Sequence, residues 1–433
     1  MTIMVLNGNQ KLDYNMVNKY TIFRLVCGLN EGSIGRTAEQ LGQLVQSKGW
    51  RSFIAYSRVN YGSTSEVYRV DNKFSTLFHA LLTRLFDMCG YGSYFATKRL
   101  VNVIERERPD LIHMHIIHNY DINLKVLFNY LSTSGIPIVW TQHDCWSYTG
   151  HCAYYSNVAC EKWKTECHNC PQFNVFPKSW FYDGSKRNYR FKKKVFTSVP
   201  QNKMCIVAVS EYVKKDIEQS FLNKYRIKRI YNGIDTDHFL PLKESNSEVR
   251  ANYGLGDGIL LMGFATAWTE RKGISDYYKL RKKLDKRYTI VFVGVDEQLK
   301  KTLPEGIIGI ENTSSIEELV KLYSTADIVM NLASEESFGK TTPEGMACGT
   351  PSIVYNSTAS PELVDEKTGI ICEKGDIDGV VNAINTVLSW DKEETIRNCR
   401  NRVLSLFSMQ KNWNEYIELY EEMIKENNKN EFE

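Results

Sequence analysis

Short apolar runs alternate with longer amphipathic stretches along most of this chain, and the alternation runs through twice. The first run, "YTIFRLVCGL" (20–29), is rich in β-branched and aromatic residues and reads as a strand. "GRTAEQLGQLVQSKG" follows, with apolar positions at helical spacing and a glycine stop at Gly49. "RSFIAYSR" reads as a second strand, "SYFATKRLVNVIERERP" as an amphipathic helix closed by Pro109, and "DLIHMHII" as the strand after it. "IPIVWTQHD", "MCIVAVS" with its helix "EYVKKDIEQSF", and "KRIYNGI" complete the first series. The polar segment "DTDHFLPLKESNSEVRANYGLGDG" has the composition of a linker. Beyond it the pattern restarts with strands "ILLMGFAT" (259–266), "YTIVFVGV" (288–295), "EGIIGI" (305–310), "ADIVMNLA" (326–333) and "PSIVYN" (351–356). The final "NRVLSLFSMQKNWNEYIELYEEMIKENNK" is a long amphipathic helix pattern with a break near Ser408.

Strands alternating with helices point to parallel sheets covered on both faces. Two such series joined once predict an α/β protein with two Rossmann-like domains facing a central cleft. Length agrees, because 433 residues exceed the roughly 250–300 at which a single core stops growing. The expected units are residues 1–235, with a cysteine-rich insert at about 145–172, then 236–405, then a helix over 406–433 packing back toward the first domain. A formal charge of +3 implies no nucleic-acid partner. No apolar run approaches the roughly 20 residues that span a bilayer. The opening "MTIMVLNGNQKLDYNMVNKY" lacks a basic-then-apolar leader pattern, so a cytoplasmic protein is expected. Eleven cysteines, an odd number, point to reduced thiols or metal ligands rather than a disulfide scaffold.

In open α/β sheets, ligands bind outside the carboxyl ends of the strands, so chemistry is sought there. "NLASEESFGKTTPEGMACGTP" runs from a strand end through a loop into a helix start, with Glu336 and Glu344 eight residues apart. Thr341-Thr342-Pro343-Glu344 fits a capping box with proline in the first turn, which accounts for Glu344 without any ligand. The functional reading gives the helix start a diphosphate, Gly339 a close backbone approach and the glutamate a pair of ribose hydroxyls. "GFATAWTERKG" (263–273) follows the first strand of the same domain, and its Arg271 and Lys272 suit a diphosphate as fork and point charge; a solvated charged turn is the alternative. In the first domain "LNEGSIGRTAEQL" places Gly32, Ser33 and Gly35 between strand and helix without being a Walker or G-x-G-x-x-G motif. His143 and Asp144 stand where a strand ends, in a region that holds six of the eight histidines. Cys152, Cys160, Cys167 and Cys170, spaced C-x7-C-x6-C-x2-C, fit either a structural zinc site, with His151 and His168 as substitute ligands, or idle reduced thiols.

These segments together resemble glycosyltransferase family 4, whose fold is the GT-B arrangement of two Rossmann-like domains. Glu336-Ser-Phe-Gly-Lys-Thr-Thr-Pro-Glu344 matches the family's E-x7-E motif, and "GMACGTP" the segment that follows it. "YNGIDTDHF" (231–239), "AVSEYVKKDI" and "GSIGRTAEQLGQLVQSKGW" match its junction, last first-domain helix and opening glycine-arginine segment. The likeness extends over residues 20 to 425. "TQHDCWSYTGHCAYYSNVACEKWKTECHNCP" is similar to a block in bacterial transferases for colanic-acid-like, capsular and O-antigen polysaccharides.

The resemblance implies a hexosyltransferase-type enzyme that uses a UDP- or GDP-sugar, retains anomeric configuration and requires no metal or cofactor for catalysis. It implies that Glu344 binds the ribose, that Glu336 and His143 lie at the donor sugar, and that the Phe338, Gly339, Lys340, Thr341 and Thr342 backbone holds sugar and diphosphate. It further implies that Lys272 and Arg271 take the diphosphate and that Gly32 and Ser33 approach it from the other domain. Two positions depart from the family: Phe264 stands where an arginine is common, and Ser33 where a second glycine is common. A GT-B epimerase or a non-catalytic nucleotide-sugar-binding protein would share these features. The implied acceptor is a glycan or a polyprenyl-diphosphate-linked sugar, with peripheral contact at the inner membrane surface. "FHALLTRLF" and "KRNYRFKKKVF" fit either anionic lipid or a solvated amphipathic face.

Overall fold

A computed structural model describes residues 19–70, 72–242 and 246–430. The opening segment read for a leader, through residue 18, lies outside the described residues, as do 243–245 of the linker and 431–433 of the tail.

Seven strands form the first sheet: β1 (Thr21–Leu25), β2 (Arg51–Tyr56), β3 (Glu66–Arg69), β4 (Leu111–Met114), β5 (Ile138–Gln142), β6 (Met204–Ala208) and β7 (Arg226–Arg229). Their order is β3-β2-β1-β4-β5-β6-β7, and every pairing is parallel. Six more strands form the second sheet: β8 (Ile259–Phe264), β9 (Tyr288–Val293), β10 (Ile307–Ile310), β11 (Ile328–Asn331), β12 (Ser352–Tyr355) and β13 (Gly369–Cys372). They run β10-β9-β8-β11-β12-β13, also all parallel. The central strands are buried on both faces, which is why they read as near-continuous apolar runs. The edge strand β3 is mostly exposed, so its "EVYR" carries no such signal and was not anticipated. The last first-domain strand falls at Arg226–Arg229 and shares only Lys228 and Arg229 with the expected "KRIYNGI", whose Ile234 instead forms a bridge to Ser408.

Each sheet reverses its winding at one place, between β1 and β4 in the first and between β8 and β11 in the second. Loops leaving neighbouring strands in opposite directions open a crevice there. The candidate segments at Gly32–Ser33, His143, Arg271–Lys272 and Glu336–Glu344 follow β1, β5, β8 and β11, at or beside these places.

The chain passes back to the first domain through a π-helical turn at Val403–Phe407 and a break at Ser408. At that crossing Ile234 donates to the Phe407 carbonyl (2.7 Å) and Met409 donates to that of Ile234 (2.8 Å). The helix Met409–Asn430 then buries Trp413, Tyr416, Tyr420 and Ile424 against Ile22, Leu111, Val139 and Cys205 of the first domain.

Candidate active site

The second-domain wall is built by two loops tied to each other. After β8 the chain makes a turn over Glu270–Lys272 and ends it at Gly273, where φ is +78° and an added Cβ would stand 2.1 Å from the Leu332 carbonyl oxygen. Only glycine permits that approach of the β8 loop to the end of β11. Ser334 then donates to the Arg271 carbonyl from both its N–H (2.8 Å) and its hydroxyl (3.1 Å), and Arg271 donates back to the Glu335 carbonyl (2.9 Å). Lys272 Nζ meets Glu336 Oε1 at 2.5 Å, both side chains being largely buried. The sequence motif pair Lys272 and Glu336 is therefore one charge-assisted contact.

Glu344 is positioned differently. Its carboxylate accepts a hydrogen bond from the Tyr323 hydroxyl at 2.9 Å. Burial raises its pKa above the usual carboxylate range, against the opposing pull of Lys340, that hydrogen bond and Arg36. The Tyr323 ring stacks on Phe264 with centroids 4.0 Å apart, so the residue that replaces the family's arginine supports the partner of Glu344. The capping box does not form. Thr341 is already helical, Lys340 is the N-cap and makes no side-chain cap, and the Glu344 side chain turns to Tyr323 instead. The short helix Thr341–Ala347 is held through Asn331, whose amide donates to Thr342 Oγ1 (3.1 Å). Gly339 sits at φ +86°, a left-handed conformation that would strain any residue with a side chain. The Phe338 ring packs toward the hinge, against Tyr231 and Phe407, so only its backbone faces the loop.

The first-domain wall reaches this loop at one side-chain contact on the β1 side: Lys340 Nζ donates to Thr37 Oγ1 at 3.1 Å. Burial lowers the Lys340 pKa to about 8, with Glu344 opposing and Arg36 adding to the shift. Arg36 and Thr37 thus belong to the site and were not singled out from the sequence. Their signal was present, because they directly follow the "GSIG" turn. Gly32 opens the helix Gly32–Ser47 at φ +59° with Ser33 exposed beside it, and among the described residues neither hydrogen-bonds the second domain.

His143, at the end of β5, hydrogen-bonds His115 of the β4 end, Nε2 to Nδ1 at 3.1 Å. Burial draws its pKa down to about 4, Lys340 and His118 add to this, and Asp144 opposes. It is a neutral imidazole at pH 7. The neighbouring Asp144, singled out with it, takes a different hydrogen-bond partner. Asp144 meets His118 Nε2 at 3.1 Å and accepts the Trp146 N–H at 2.9 Å. Behind His115, His113 hydrogen-bonds Tyr420 (2.6 Å) and Thr141 (2.8 Å), which ties the strand ends to the returning C-terminal helix.

The insert closes the crevice on its other side. Glu335, buried, accepts the N–H groups of Tyr155 (2.8 Å) and Ser156 (3.0 Å), and Tyr154 lies 4.3 Å under the Arg271 guanidinium. Glu335 was missed because it stands one residue before the E-x7-E motif and outside its pattern. Cys152, Cys160, Cys167 and Cys170 line one small cavity with His151 and His168. Cys167 Sγ accepts the Gly150 N–H at 3.1 Å. Cys170 is drawn toward the thiolate by a hydrogen bond from Cys152, whose own pKa rises in consequence. Among the described residues no three His, Cys, Asp or Glu side chains are arranged to hold a metal ion, which leaves the four cysteines in the geometry of the second reading, reduced thiols.

Residues 34–238 match the family described as Glycosyltransferase Family 4, and residues 257–389 match Glycosyl transferases group 1. The Escherichia coli K12 protein WcaC, named for glycosyl transfer in colanic acid biosynthesis, is 28% identical over 220 residues, and the match spans 48% of this chain and 53% of that relative. The chain therefore spans about half the length of that relative. The N-acetyl-alpha-D-glucosaminyl L-malate synthase of Bacillus anthracis is 20% identical over 93% of this chain and 97% of its own. In fold, the chain is similar to a Rickettsia africae glycosyltransferase (TM-score 0.66, 19% identity, 94% of this chain and 99% of that one). It is equally similar to Anabaena Alr3699/HepE, solved with UDP (TM-score 0.66, 15% identity, 93% and 100%). With the matched models taking in both sheets and the crevice between them, the chain belongs to glycosyltransferase family 4 and is a glycosyltransferase of the GT-B type.

Proposed function

We propose that the protein transfers a sugar from a nucleotide-diphosphate sugar, a UDP- or GDP-sugar, to a hydroxyl of a glycan or polyprenyl-diphosphate-linked acceptor. The setting is surface polysaccharide assembly on the cytoplasmic side, with retention of configuration. The observation that carries this is the convergence of Arg271, Lys272, Lys340, Glu336 and Glu344 on one crevice at the two switch points.

The leaving group of such a reaction is a diphosphate, and the sugar passes through an oxocarbenium-like state. Lys272 and Arg271 would take the diphosphate charge as the glycosidic bond breaks, with Lys340 and the amides around Gly339 beside them. Charges fixed in advance in a water-poor site lower such a barrier without reorganising. Glu336, braced by Lys272, would orient the sugar hydroxyls. Glu344, braced by Tyr323, would accept from the ribose. The two glutamates answer to different partners and do not act as a glycosidase pair. His143, neutral at pH 7, would hydrogen-bond a sugar hydroxyl rather than carry charge. Gly32 and Ser33, with Arg36 behind them, would approach the phosphates from the opposite wall.

The test is a thermal-shift screen of nucleotides and nucleotide sugars, followed by turnover with the donor that binds. A ligand at about 100 times its Kd stabilises by roughly 2.7 kcal/mol. Lys272→Ala is expected to lower kcat by roughly 100- to 1000-fold, the cost of losing one transition-state contact, with the melting point little changed. Glu344→Ala is expected to weaken the nucleotide itself. Wild-type turnover in both variants would overturn the site.

A further inference from the structure

The helix Lys73–Phe86 is folded inside out. Its buried residues are polar: His79 hydrogen-bonds Ser93 (3.1 Å) and accepts the Gly90 N–H (2.9 Å), and Thr83 donates to the His79 carbonyl (3.0 Å). Its outward stripe is apolar. Phe74, Leu77, Phe78 and Leu81, at the i, i+3, i+4, i+7 spacing of one helical face, are 86, 69, 60 and 45% exposed. A helix whose apolar stripe faces away from the core has another surface to meet.

The stripe is continued at both ends. The hydroxyls of Ser75 and Ser93 lie 3.3 Å apart, which brings Phe95, 74% exposed, beside the first turns. Trp180 donates its N–H to the Arg84 carbonyl (2.7 Å), which sets Phe181, 79% exposed, beside the last turn.

Charge narrows the partner. Between residues 72 and 104 stand four basic residues and one acid, Asp87, and that acid is buried in a pair with His151 at 2.7 Å. Between 174 and 196 the one acid is Asp183, which accepts the N–H groups of Cys170 and Ser185. Lys98, Arg99 and Lys178 have no ion pair among the described residues. Exposed phenylalanines within a basic rim whose described residues at 72–104 and 174–196 include no free acid complement an anionic surface whose interior is apolar. Among the described residues no helix is long and apolar enough to cross a membrane, so this one would lie along it. The helix Tyr94–Glu107 leads into β4, so its N-terminal end, with Phe95, is at the edge of the sheet where the crevice opens.

We infer that this face docks the protein flat on an anionic phospholipid bilayer, with the Phe74–Leu81 stripe and Phe181 in the acyl boundary and the cations among the headgroups. The docking stands independently of which donor the crevice takes.

The test uses the full chain and sedimented vesicles of phosphatidylcholine with and without phosphatidylglycerol. Binding is expected to be about tenfold or more tighter with phosphatidylglycerol and to weaken as salt screens the headgroups. Phe74→Ser, Phe78→Ser and Phe181→Ser together should reduce it by a further tenfold or so, with melting point and nucleotide binding unchanged. Because all three rings are exposed, folding is not at stake. The inference is overturned if the wild type stays in solution at low salt, or binds both vesicles equally. Equal binding by the triple variant also overturns it, as does a wild-type dimer that the same substitutions convert to monomer, since then a second copy covers the face.

Discussion

The two walls of the crevice solve the same problem with opposite means. The second-domain wall is charged and local, with Arg271, Lys272, Lys340, Glu336 and Glu344 drawn from two loops and one short helix. The first-domain wall, Arg36 apart, is built of neutral groups and is long-range. His143 rests on His115, and the neighbouring His113 rests on Tyr420, more than 300 residues away in sequence. The charged wall suits a diphosphate that arrives and leaves. The neutral wall suits sugar hydroxyls, which require fixed hydrogen-bond geometry more than they require field.

The largest expected break between the walls comes with acid. Burial holds His79 and His143 at about 4 and pulls His113 and His115 well below their ordinary value, all four on the first domain. The unfolded chain takes up these protons near pH 6.5 and the folded chain does not, so stability is lost as pH falls below about 6.5. Each histidine contributes a slope of roughly 1.4 kcal/mol per pH unit in that window. His151, raised through Asp87 despite its burial, works the other way and offsets part of the loss. Urea unfolding at pH 7 and pH 5, followed by amide exchange, should show β1, β4 and β5 losing protection before β8 and β11. Equal stability at the two pH values would mean that the imidazoles are not buried neutral.

How far each wall could be read from sequence follows the same division. Local motifs carried the charged wall: Lys272, Glu336 and Gly339 lie where their spacing puts them, because one strand end and one turn fix them. The parallel sheets were likewise legible, because strands buried on both faces leave unbroken apolar runs. Glu344 was singled out for both a ribose and a capping box, and the capping box does not form; its partner Tyr323 lies on a different helix, which no local pattern shows. The neutral wall was only half legible. His143 was singled out with its neighbour Asp144, but its hydrogen-bond partner His115 was not, because the sequence does not show which imidazole a neighbouring strand presents. The cysteine spacing brought four thiols to one cavity, but not into a coordination sphere. The Lys73–Phe86 helix shows the same limit, since its period is plain in "FHALLTRLF" while the side turned to solvent is set by tertiary contacts.

A smaller effect is expected where the walls join. Glu335 accepts three backbone N–H groups of the insert, from Tyr155, Ser156 and, at 3.4 Å, Asn157, and Glu362 accepts those of Glu211 (2.8 Å) and Tyr212 (2.7 Å). Hydrogen bonds to a charged group contribute roughly 1.5–3 kcal/mol. Glu335→Ala should lower stability by about that much, widen the molecule in small-angle scattering and raise the donor KM, since residues 334–336 also set Glu336. A variant with unchanged melting point and radius would show that the walls are held together elsewhere.

The smallest effect concerns how the insert holds itself together. The Cys152–Cys170 contact favours the thiolate at Cys170, which is partly exposed. Thiolates, not thiols, react with alkylating agents. Cys170 should therefore be alkylated ahead of the other cysteines, with a midpoint below that of a free thiol, and Cys152→Ser should slow it by weakening the stabilising donor. The remaining buried thiols, such as Cys145 and Cys399, are pushed the other way by burial and should stay silent in the folded chain. Protection of Cys170 together with near-stoichiometric zinc in the purified protein would reverse the assignment, because coordination both deprotonates a thiol and shields it. The insert would then be a metal-clamped element and the neutral wall would owe its rigidity to an ion. Fast alkylation without zinc leaves that rigidity to packing and to the Glu335 latch.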